Sequence, residues 1–156
     1  MYHLVCNSEE TILIRKANLN DLPRLTELAL ELWPDNAVDK MYYDLGKIMT
    51  SGESVFFLAY REDTAVGFAQ CQLRHDYVEG TSSSPVGYLE GIYVRASDRH
   101  LGFAGQLMQA CEDWARGQHC TEFSSDCQID HTESLAFHLK MGFKEANRII
   151  CFAKHL

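Results

Sequence analysis

Hydrophobic residues follow two kinds of spacing along this chain. Short runs rich in β-branched and aromatic residues predict strands over residues 11–17, 54–61, 65–74, 87–94, 121–126 and 147–156. Longer stretches with apolar residues at intervals of three and four predict helices over residues 21–33, 38–49, 103–116 and 132–140. Either Asn18 or Asn20 is expected to cap the first helix, and Pro23 suits its first turn, where a missing N–H is tolerated.

The order of these elements is β-α-α-β-β-β-α-β-α-β, and no repeat or linker interrupts it. This order indicates one mixed α/β sheet with helices on both faces. A chain of 156 residues has the usual size of one domain. We therefore expect residues 1–156 to form a single domain.

Charge and composition narrow the class of protein. The chain carries 14 Lys and Arg residues against 22 Asp and Glu residues, which gives a formal net charge of −8. This charge argues against nucleic acid or an anionic membrane as a partner and permits a cationic ligand. No apolar run reaches the roughly 18 residues of a membrane span, and residues 1–17 lack the basic start and apolar core of a signal peptide. A cytoplasmic location is the simplest expectation.

Six cysteines are present without any C-x-x-C pair: Cys6, Cys71, Cys111, Cys120, Cys127 and Cys151. Because 46% of the residues are hydrophobic, the chain needs no disulfide staples, and we expect small buried thiols. A possible metal cluster consists of His119, Cys120, Cys127 and His131. Its spacing matches no zinc motif, and a strand within it would separate the side chains. We expect no metal site.

The turn after the fourth predicted strand has the composition of an anion site. It reads Arg99-His100-Leu101-Gly102-Phe103-Ala104-Gly105 and leads into a helix. Backbone N–H groups at a helix start have no partner within the helix and can hold phosphate. The turn lacks the lysine and the hydroxyl residue of a nucleoside triphosphate loop. A pyrophosphate held without a metal therefore fits best, and an ordinary tight turn is the alternative.

Three features together resemble the GCN5-related N-acetyltransferase (GNAT) superfamily, whose matching loop grips the pyrophosphate of acetyl-CoA. They are the turn Arg99-x-x-Gly102-x-Ala104, the preceding strand "YLEGIYV" and the later helix and turn "SLAFHLKMGF". The resemblance extends over residues 12–152 in element order. More narrowly, "RHDYVEGTSSSPVGYLEGIYV", "ELWPDN" and "CTEFSSD" resemble the aminoglycoside 6′-N-acetyltransferases. This resemblance implies the GNAT fold, acetyl-CoA as co-substrate, a cationic aminoglycoside as acceptor, antibiotic resistance and a homodimer.

The resemblance also assigns residues to acetyl-CoA. It implies that the pyrophosphate is held by Arg99, His100, Leu101, Gly102, Phe103, Ala104 and Gly105. The backbone of Ile92, Tyr93 and Val94 would pair with the pantetheine arm as an added strand does. One of these three N–H groups would polarise the thioester carbonyl. His131 stands where many members carry an asparagine that touches CoA.

Acceptor residues are predicted partly from the strand pattern. Glu90 lies inside an apolar strand, where a carboxylate is costly unless it is solvated or paired. It is expected to bind the ammonium of the acceptor and to accept its proton, directly or through water. Asp126 ends a strand and either faces the ligand, as the resemblance implies, or caps the next helix. The remaining contacts implied by the resemblance are Trp33, Tyr77, Asn36 and Asn147. For the two aromatic residues, core packing is the alternative.

His138 replaces the superfamily's usual tyrosine four residues before the Gly-Phe pair. That tyrosine protonates the departing CoA thiolate. An imidazole is able to do the same, and the alternative is that the thiolate leaves unprotonated.

The sequence thus predicts an acetyl-CoA-dependent enzyme that acetylates the 6′-amine of aminoglycosides by direct attack, with no acyl-enzyme intermediate. Two other functions stay open. One is acetylation of a different amine, such as a polyamine, a small metabolite or a protein N-terminus. The other is a non-catalytic acyl-CoA-binding module.

Overall fold

The structure is a computed structural model that describes residues 12–156. Its strands are β1 (Ile12–Lys16), β2 (Ser54–Arg61), β3 (Thr64–Arg74), β4 (Val86–Val94) and β5 (Phe123–Ser125). Its helices are α1 (Leu22–Leu32), α2 (Val38–Met49), α3 (Phe103–Gly117) and α4 (Thr132–Lys140). The strands form one sheet in the order β1-β2-β3-β4-β5, in which only β4 and β5 run parallel to each other. The predicted mixed α/β sheet is confirmed.

The sheet is covered on both faces because its strands bury both sets of alternating side chains. In β2, Phe56 and Leu58 pack with the apolar residues of α1 and α2. Val55 and Ala59 point the other way and pack with the buried side of α3. The near-continuous hydrophobic run of this strand follows from burial on two faces. The expected helices on both faces are therefore present.

The first helix begins with a capped turn. A 3₁₀ turn (Leu19–Asp21) leads into α1, and Asn18 caps it by accepting a hydrogen bond of 2.9 Å from the backbone N–H of Asn20. The Asn18 N–H donates in return to Asp21, which completes a capping box. Asn18 therefore caps the 3₁₀ turn that precedes α1, whereas α1 itself begins after Asp21 without a side-chain cap, so neither predicted residue caps α1.

The predicted last strand is wrong. Residues 144–156 form neither helix nor strand, and Ile149, Ile150 and Phe152 are 65%, 80% and 92% exposed. Strand propensity expresses how well a segment fits a pleated, paired surface, so it produces a strand only where a partner strand is available. Within the described residues this segment pairs with no strand. The predicted strand over residues 121–126 is shortened to the three residues of β5.

The cysteines divide into two groups. Cys71, Cys111 and Cys120 are buried free thiols, as expected, whereas Cys127 is half-buried and Cys151 is exposed on the C-terminal segment. The expectation of burial is wrong for these last two. Residues 1–11, which include Cys6, Thr11 and most of the N-terminal stretch in which no signal peptide is predicted, lie outside the described residues. Among residues 12–156 no helix is long and apolar enough to cross a membrane.

Candidate active site

The turn of residues 99–105, called here the anion turn, joins β4 to the start of α3. His100 and Gly102 adopt left-handed backbone conformations, with φ of 63° and 92°. No side chain caps α3, so the N–H groups of its first turn lack a partner in the helix and point out from its positive end. Apart from the adjoining residues and the backbone of α3 itself, no protein atom lies within 4 Å of the position that a Cβ on Gly102 or Gly105 would take. The turn therefore presents bare backbone to a ligand.

Arg99 is the one side chain of this turn that bonds back to the sheet. Its Nε donates to the Val94 carbonyl at 2.9 Å, and its guanidinium lies 5.9 Å from the centre of the Tyr93 ring. His100 and Leu101 are exposed, and the buried Phe103 anchors the start of α3 in the core. Arg99 and Phe103 thus attach the turn to the sheet and the core, while the backbone N–H groups of the turn face solvent.

One edge of β4 is open beside the anion turn. β4 pairs with β5 only from Gly87 to Leu89, while its pairing with β3 continues to Val94. Within the described part of the chain, the β5-side edge of Ile92–Val94 therefore has no partner strand. Such an edge offers backbone groups to an extended ligand. We call Ile92–Val94 the open strand edge.

Glu90 occupies a β-bulge in β4. Gln70 pairs with Gly91 and Cys71 pairs with Leu89, so Glu90 is the extra residue between two ladder positions. Gly91 is required beside it because a Cβ there would lie 2.7 Å from the Trp33 ring. The bulge places Glu90 at the point where β4 and β5 separate.

Trp33 and Asn36 lie at the end of α1. The Trp33 ring packs against Gly91 and meets Phe68 edge to face at 5.9 Å, so most of its contact is with the core. Asn36 is exposed and donates from Nδ2 to the Trp33 carbonyl at 3.2 Å. Core packing, the alternative considered for Trp33, is therefore part of its role.

Glu90 is linked to Asp126 by a chain of contacts across three strands. Arg74 on β3 donates to both carboxylate oxygens of Glu90, at 2.9–3.0 Å. The guanidinium carbon of Arg74 lies 3.4 Å from the centre of the Tyr88 ring, and the Tyr88 hydroxyl donates to Asp126. Burial, and after it this hydrogen bond, raises the pKa of Tyr88 above its ordinary value. We call Glu90, Arg74, Tyr88 and Asp126 the polar chain.

A cleft of about 1530 Å³ opens beside the polar chain. Its lining includes Arg74, Tyr88, Asp126, Tyr77, His138 and Asn147, but neither Glu90 nor Trp33 nor Asn36. Six acidic and four basic side chains line it. Arg116 and Arg148 are paired with Glu112 and Glu145, which also line the cleft, so that four acidic and two basic side chains are left outside these pairs. An excess of negative charge is thus left to face the cleft, which suits a cationic ligand.

Two elements that shape the cleft are held by side-chain hydrogen bonds. Glu122 accepts hydrogen bonds from the backbone and hydroxyl groups of Ser82 and Ser83, and the Ser83 hydroxyl is the first cause of its lowered pKa. This fixes the loop between β3 and β4, on which Tyr77 is 78% exposed. Asn147 of the C-terminal segment donates to Glu79 in the same loop at 3.0 Å. Tyr77 and Asn147 therefore both lie in the cleft wall that this loop forms, whereas Trp33 and Asn36 do not line the cleft.

His138 is held between two hydrogen bonds. Its Nδ1 lies 2.7 Å from the Ser134 carbonyl oxygen, which can only accept, so Nδ1 carries a proton. Its Nε2 lies 2.9 Å from Ser125 Oγ, which in turn donates to the Leu89 carbonyl at 3.1 Å. Through one hydroxyl the imidazole is therefore connected to the end of β5 and to Leu89, the last residue of β4 that pairs with β5.

His131 is exposed at the N-terminal end of α4 and makes no side-chain cap. Among residues 12–156 no three His, Cys, Asp or Glu side chains are grouped as a metal site.

Three residues of the site were missed in the sequence: Arg74, Tyr88 and Ser125. Tyr88 lies two positions before Glu90, which is the one signal available, since alternate residues of a strand share a face. The loop of residues 75–85 separates Arg74 from Glu90 in the sequence, so the contact between their side chains could not be predicted from the sequence pattern.

A family model described as the acetyltransferase (GNAT) family matches residues 22–143 of the chain. The anion turn and the open strand edge lie within this match. The protein therefore belongs to the GNAT family, and the resemblance stated from its motifs is confirmed.

Its relatives narrow the class further. Aminoglycoside N(6′)-acetyltransferase type 1 of Salmonella typhimurium is 38% identical over 141 residues, which cover 90% of this chain and 97% of that protein. The protein of the same name from Stenotrophomonas maltophilia is 39% identical over 140 residues, covering 89% and 90%. A solved structure of AAC(6′)-Iy in complex with the bisubstrate analog CoA-S-monomethyl-acetylneamine has a TM-score of 0.90 at 36% identity, over 94% of this chain and 99% of that one.

Proposed function

We propose that this protein transfers the acetyl group of acetyl-CoA to the 6′-amine of aminoglycoside antibiotics and thereby confers resistance. The observation that carries the proposal is its likeness, over nearly the whole chain, to relatives named for this reaction and to a structure holding a bisubstrate analog. The excess of acidic side chains around the cleft supports a polycationic acceptor.

Acetyl-CoA is held by backbone in this proposal. The N–H groups of the anion turn, from Arg99 to Gly105, bind the pyrophosphate, and the open strand edge pairs with the pantetheine arm. An N–H of that edge donates to the thioester carbonyl and stabilises the negative charge that develops on its oxygen. His131, at the start of α4, contributes to the rim on the CoA side.

The amine attacks the thioester carbon directly. A bond forms between the amine nitrogen and the carbonyl carbon, the carbon–sulfur bond breaks, and CoA leaves as the thiolate. Glu90 receives one proton of the ammonium before the attack, directly or through water. The nitrogen gives up a second proton as the carbon–sulfur bond breaks, and this proton balances the one that the thiolate takes up. His138 supplies a proton to the thiolate, with Ser125 next to its Nε2. Asp126, Tyr77 and Asn147 contact the aminoglycoside from the cleft, and Trp33 and Asn36 contact it from the end of α1.

The proposal treats residues 1–156 as one catalytic domain that works in the cytoplasm without a metal. The free thiols of the described residues fit a reducing compartment. The net charge of −8 fits neither nucleic acid nor an anionic membrane as a partner.

We further propose that the enzyme is a homodimer and that a second copy covers the C-terminal segment. The C-terminal segment exposes three large apolar side chains by 65–92%: Ile149, Ile150 and Phe152. Such exposed apolar groups typically mark an interaction surface. Light scattering after size exclusion should give twice the monomer mass, and the double variant I150D/F152D should be monomeric. A wild-type monomer at micromolar concentration would refute the dimer and leave the chemistry untouched.

The chemistry is tested by thiol release from acetyl-CoA over a panel of aminoglycosides with either an amine or a hydroxyl at the 6′ position. We expect turnover only where the 6′ group is an amine. Equal turnover of both sets would refute the 6′ assignment. Spermidine serves as the competing acceptor, and a higher kcat/KM for spermidine than for kanamycin would favour a different amine. Tight binding of acetyl-CoA with no thiol release from any acceptor would favour a non-catalytic module.

A further inference from the structure

The Arg74 guanidinium forms a bidentate contact with the Glu90 carboxylate. Its Nη2 lies 2.9 Å from each carboxylate oxygen of Glu90, and its Nε lies 3.0 Å from Oε1. A planar guanidinium that donates to both oxygens fixes the plane of a carboxylate as well as its position. The Glu90 carboxylate is therefore unable to rotate without losing one of these bonds. Its side chain is only 22% exposed, so water competes weakly for the same oxygens.

Arg74 is itself held in place by Tyr88. The guanidinium lies 3.4 Å from the centre of the Tyr88 ring, whereas the other guanidinium–ring contacts of the described residues measure 5.0–5.9 Å. The Tyr88 ring is 6% exposed and its hydroxyl is bonded to Asp126, so the ring has little freedom to move. Arg74 is thus clamped between a fixed ring face and the carboxylate that it orients.

The place of Arg74 in the cleft gives its removal a recognisable effect. Glu90 does not line the cleft, whereas its partner Arg74 does. The residue therefore contributes a positive charge to a site proposed for a polycation. Without that charge a cationic acceptor should bind as well or better, since like charges repel across a short distance. Loss of the orientation of Glu90 should act on the chemical step instead.

We propose that Arg74 is a positioning residue: it holds the Glu90 carboxylate in the orientation that the acceptor amine requires, and Tyr88 keeps Arg74 in place. This inference rests on the proposed function, because it assigns a reason for the geometry of the same site.

The test compares R74Q and R74K with the wild type by steady-state kinetics on kanamycin. For R74Q we expect kcat to fall about 10- to 100-fold, the range that misplacement of a reacting group produces, while the KM for kanamycin falls or stays unchanged. Damage to the site in general would instead raise the KM. R74K keeps the charge but lacks the planar fork, so its KM should match the wild type and its kcat should lie between the two.

Two controls separate positioning from folding and net charge. K40Q removes one positive charge from an exposed ion pair on α2 and should leave both constants unchanged. A double-mutant cycle of R74Q and E90Q, read as the free energy of unfolding, should be non-additive because the two residues are in contact.

The inference is overturned if R74Q keeps kcat within about twofold of the wild type, if its KM rises together with a loss of kcat, or if R74K is no better than R74Q. An additive cycle overturns it as well. A wild-type protein that releases no thiol with any aminoglycoside overturns the proposed function and this inference together. Normal wild-type turnover with an unaffected R74Q overturns this inference alone.

Discussion

The proposed site has a donor side and an acceptor side, and the two are built in different ways. The donor side, formed by the anion turn and the open strand edge, presents main-chain groups from one continuous stretch, residues 92–105. The acceptor side, formed by the polar chain and the cleft, brings together side chains from β3, β4, β5 and the C-terminal segment. A backbone site depends on conformation, whereas a side-chain site depends on which residues meet. Substitutions on the two sides should therefore change different kinetic constants of the enzyme.

The largest effect is expected from E90Q. Because glutamine cannot accept the proton of the ammonium, kcat/KM for kanamycin should fall about 100- to 10,000-fold, the range attributed to general base catalysis. The KM for acetyl-CoA should be unchanged, which would confirm that the two sides are separable. E62Q, at the exposed turn between β2 and β3, is the charge-matched control. Undiminished kcat/KM in E90Q across pH would falsify the role of Glu90.

The next effect is expected from G105A on the donor side. Apart from the adjoining residues and the backbone of α3 itself, no protein atom lies within 4 Å of a Cβ at this position, so the helix should gain roughly 0.5–1 kcal/mol of stability from the substitution. If this exposed backbone binds the pyrophosphate of acetyl-CoA, the added methyl group should raise the KM for acetyl-CoA about tenfold, equivalent to about 1.4 kcal/mol. G117A, at the other end of α3 and equally open, should increase the stability of the protein without changing the KM for acetyl-CoA. Equal acetyl-CoA kinetics in the two variants would show that the anion turn does not hold CoA.

An effect of similar size, but on the other substrate, is expected from D126N on the acceptor side. The loss of one charged contact to the aminoglycoside should raise its KM about tenfold, because hydrogen bonds to charged groups contribute about 1.5–3 kcal/mol. The KM for acetyl-CoA should not change. D39N, on the exposed surface of α2, provides the control. If D126N altered the KM for acetyl-CoA and not that for kanamycin, Asp126 would belong to the donor side.

The smallest effect on either substrate is expected from D21N, which lies away from both sides. The Arg15 guanidinium, bonded at 2.6 Å, lowers the pKa of the buried Asp21 carboxyl. Its contribution to stability is therefore complete above the unfolded-state pKa of about 3.9 and is lost as the pH falls through the lower folded-state pKa.

Denaturant unfolding should show D21N less stable by about 1–3 kcal/mol at pH 7, the cost of a broken buried charged contact. The difference from the wild type should shrink below about pH 4. The KM values for both substrates should match those of the wild type. A difference in stability that did not depend on pH would mean that the capping geometry, and not the charge of Asp21, is what matters.

The local geometry of the proposed donor side could be predicted from the sequence. Left-handed Gly102, the unpartnered start of α3 and the strand before it are local features, and local patterns of glycine and hydrophobic residues encode them. Glu90 could also be singled out, because a carboxylate in an apolar strand is costly unless it has a partner. Its partner Arg74, sixteen residues earlier, could not be found, since the loop between the two strands sets a register that composition does not reveal.

The sequence by itself thus determined the order of elements up to α4, the mixed sheet and the glycine-bearing turn before α3, because spacing and turn chemistry act over a few residues. The tertiary structure decided that Glu90 sits in a bulge, that Arg74 and Tyr88 join it to Asp126, and that His138 reaches Ser125. It also decided that residues 144–156 form no strand within the described chain. These outcomes depend on contacts between distant segments, and such contacts form only when the sheet is assembled.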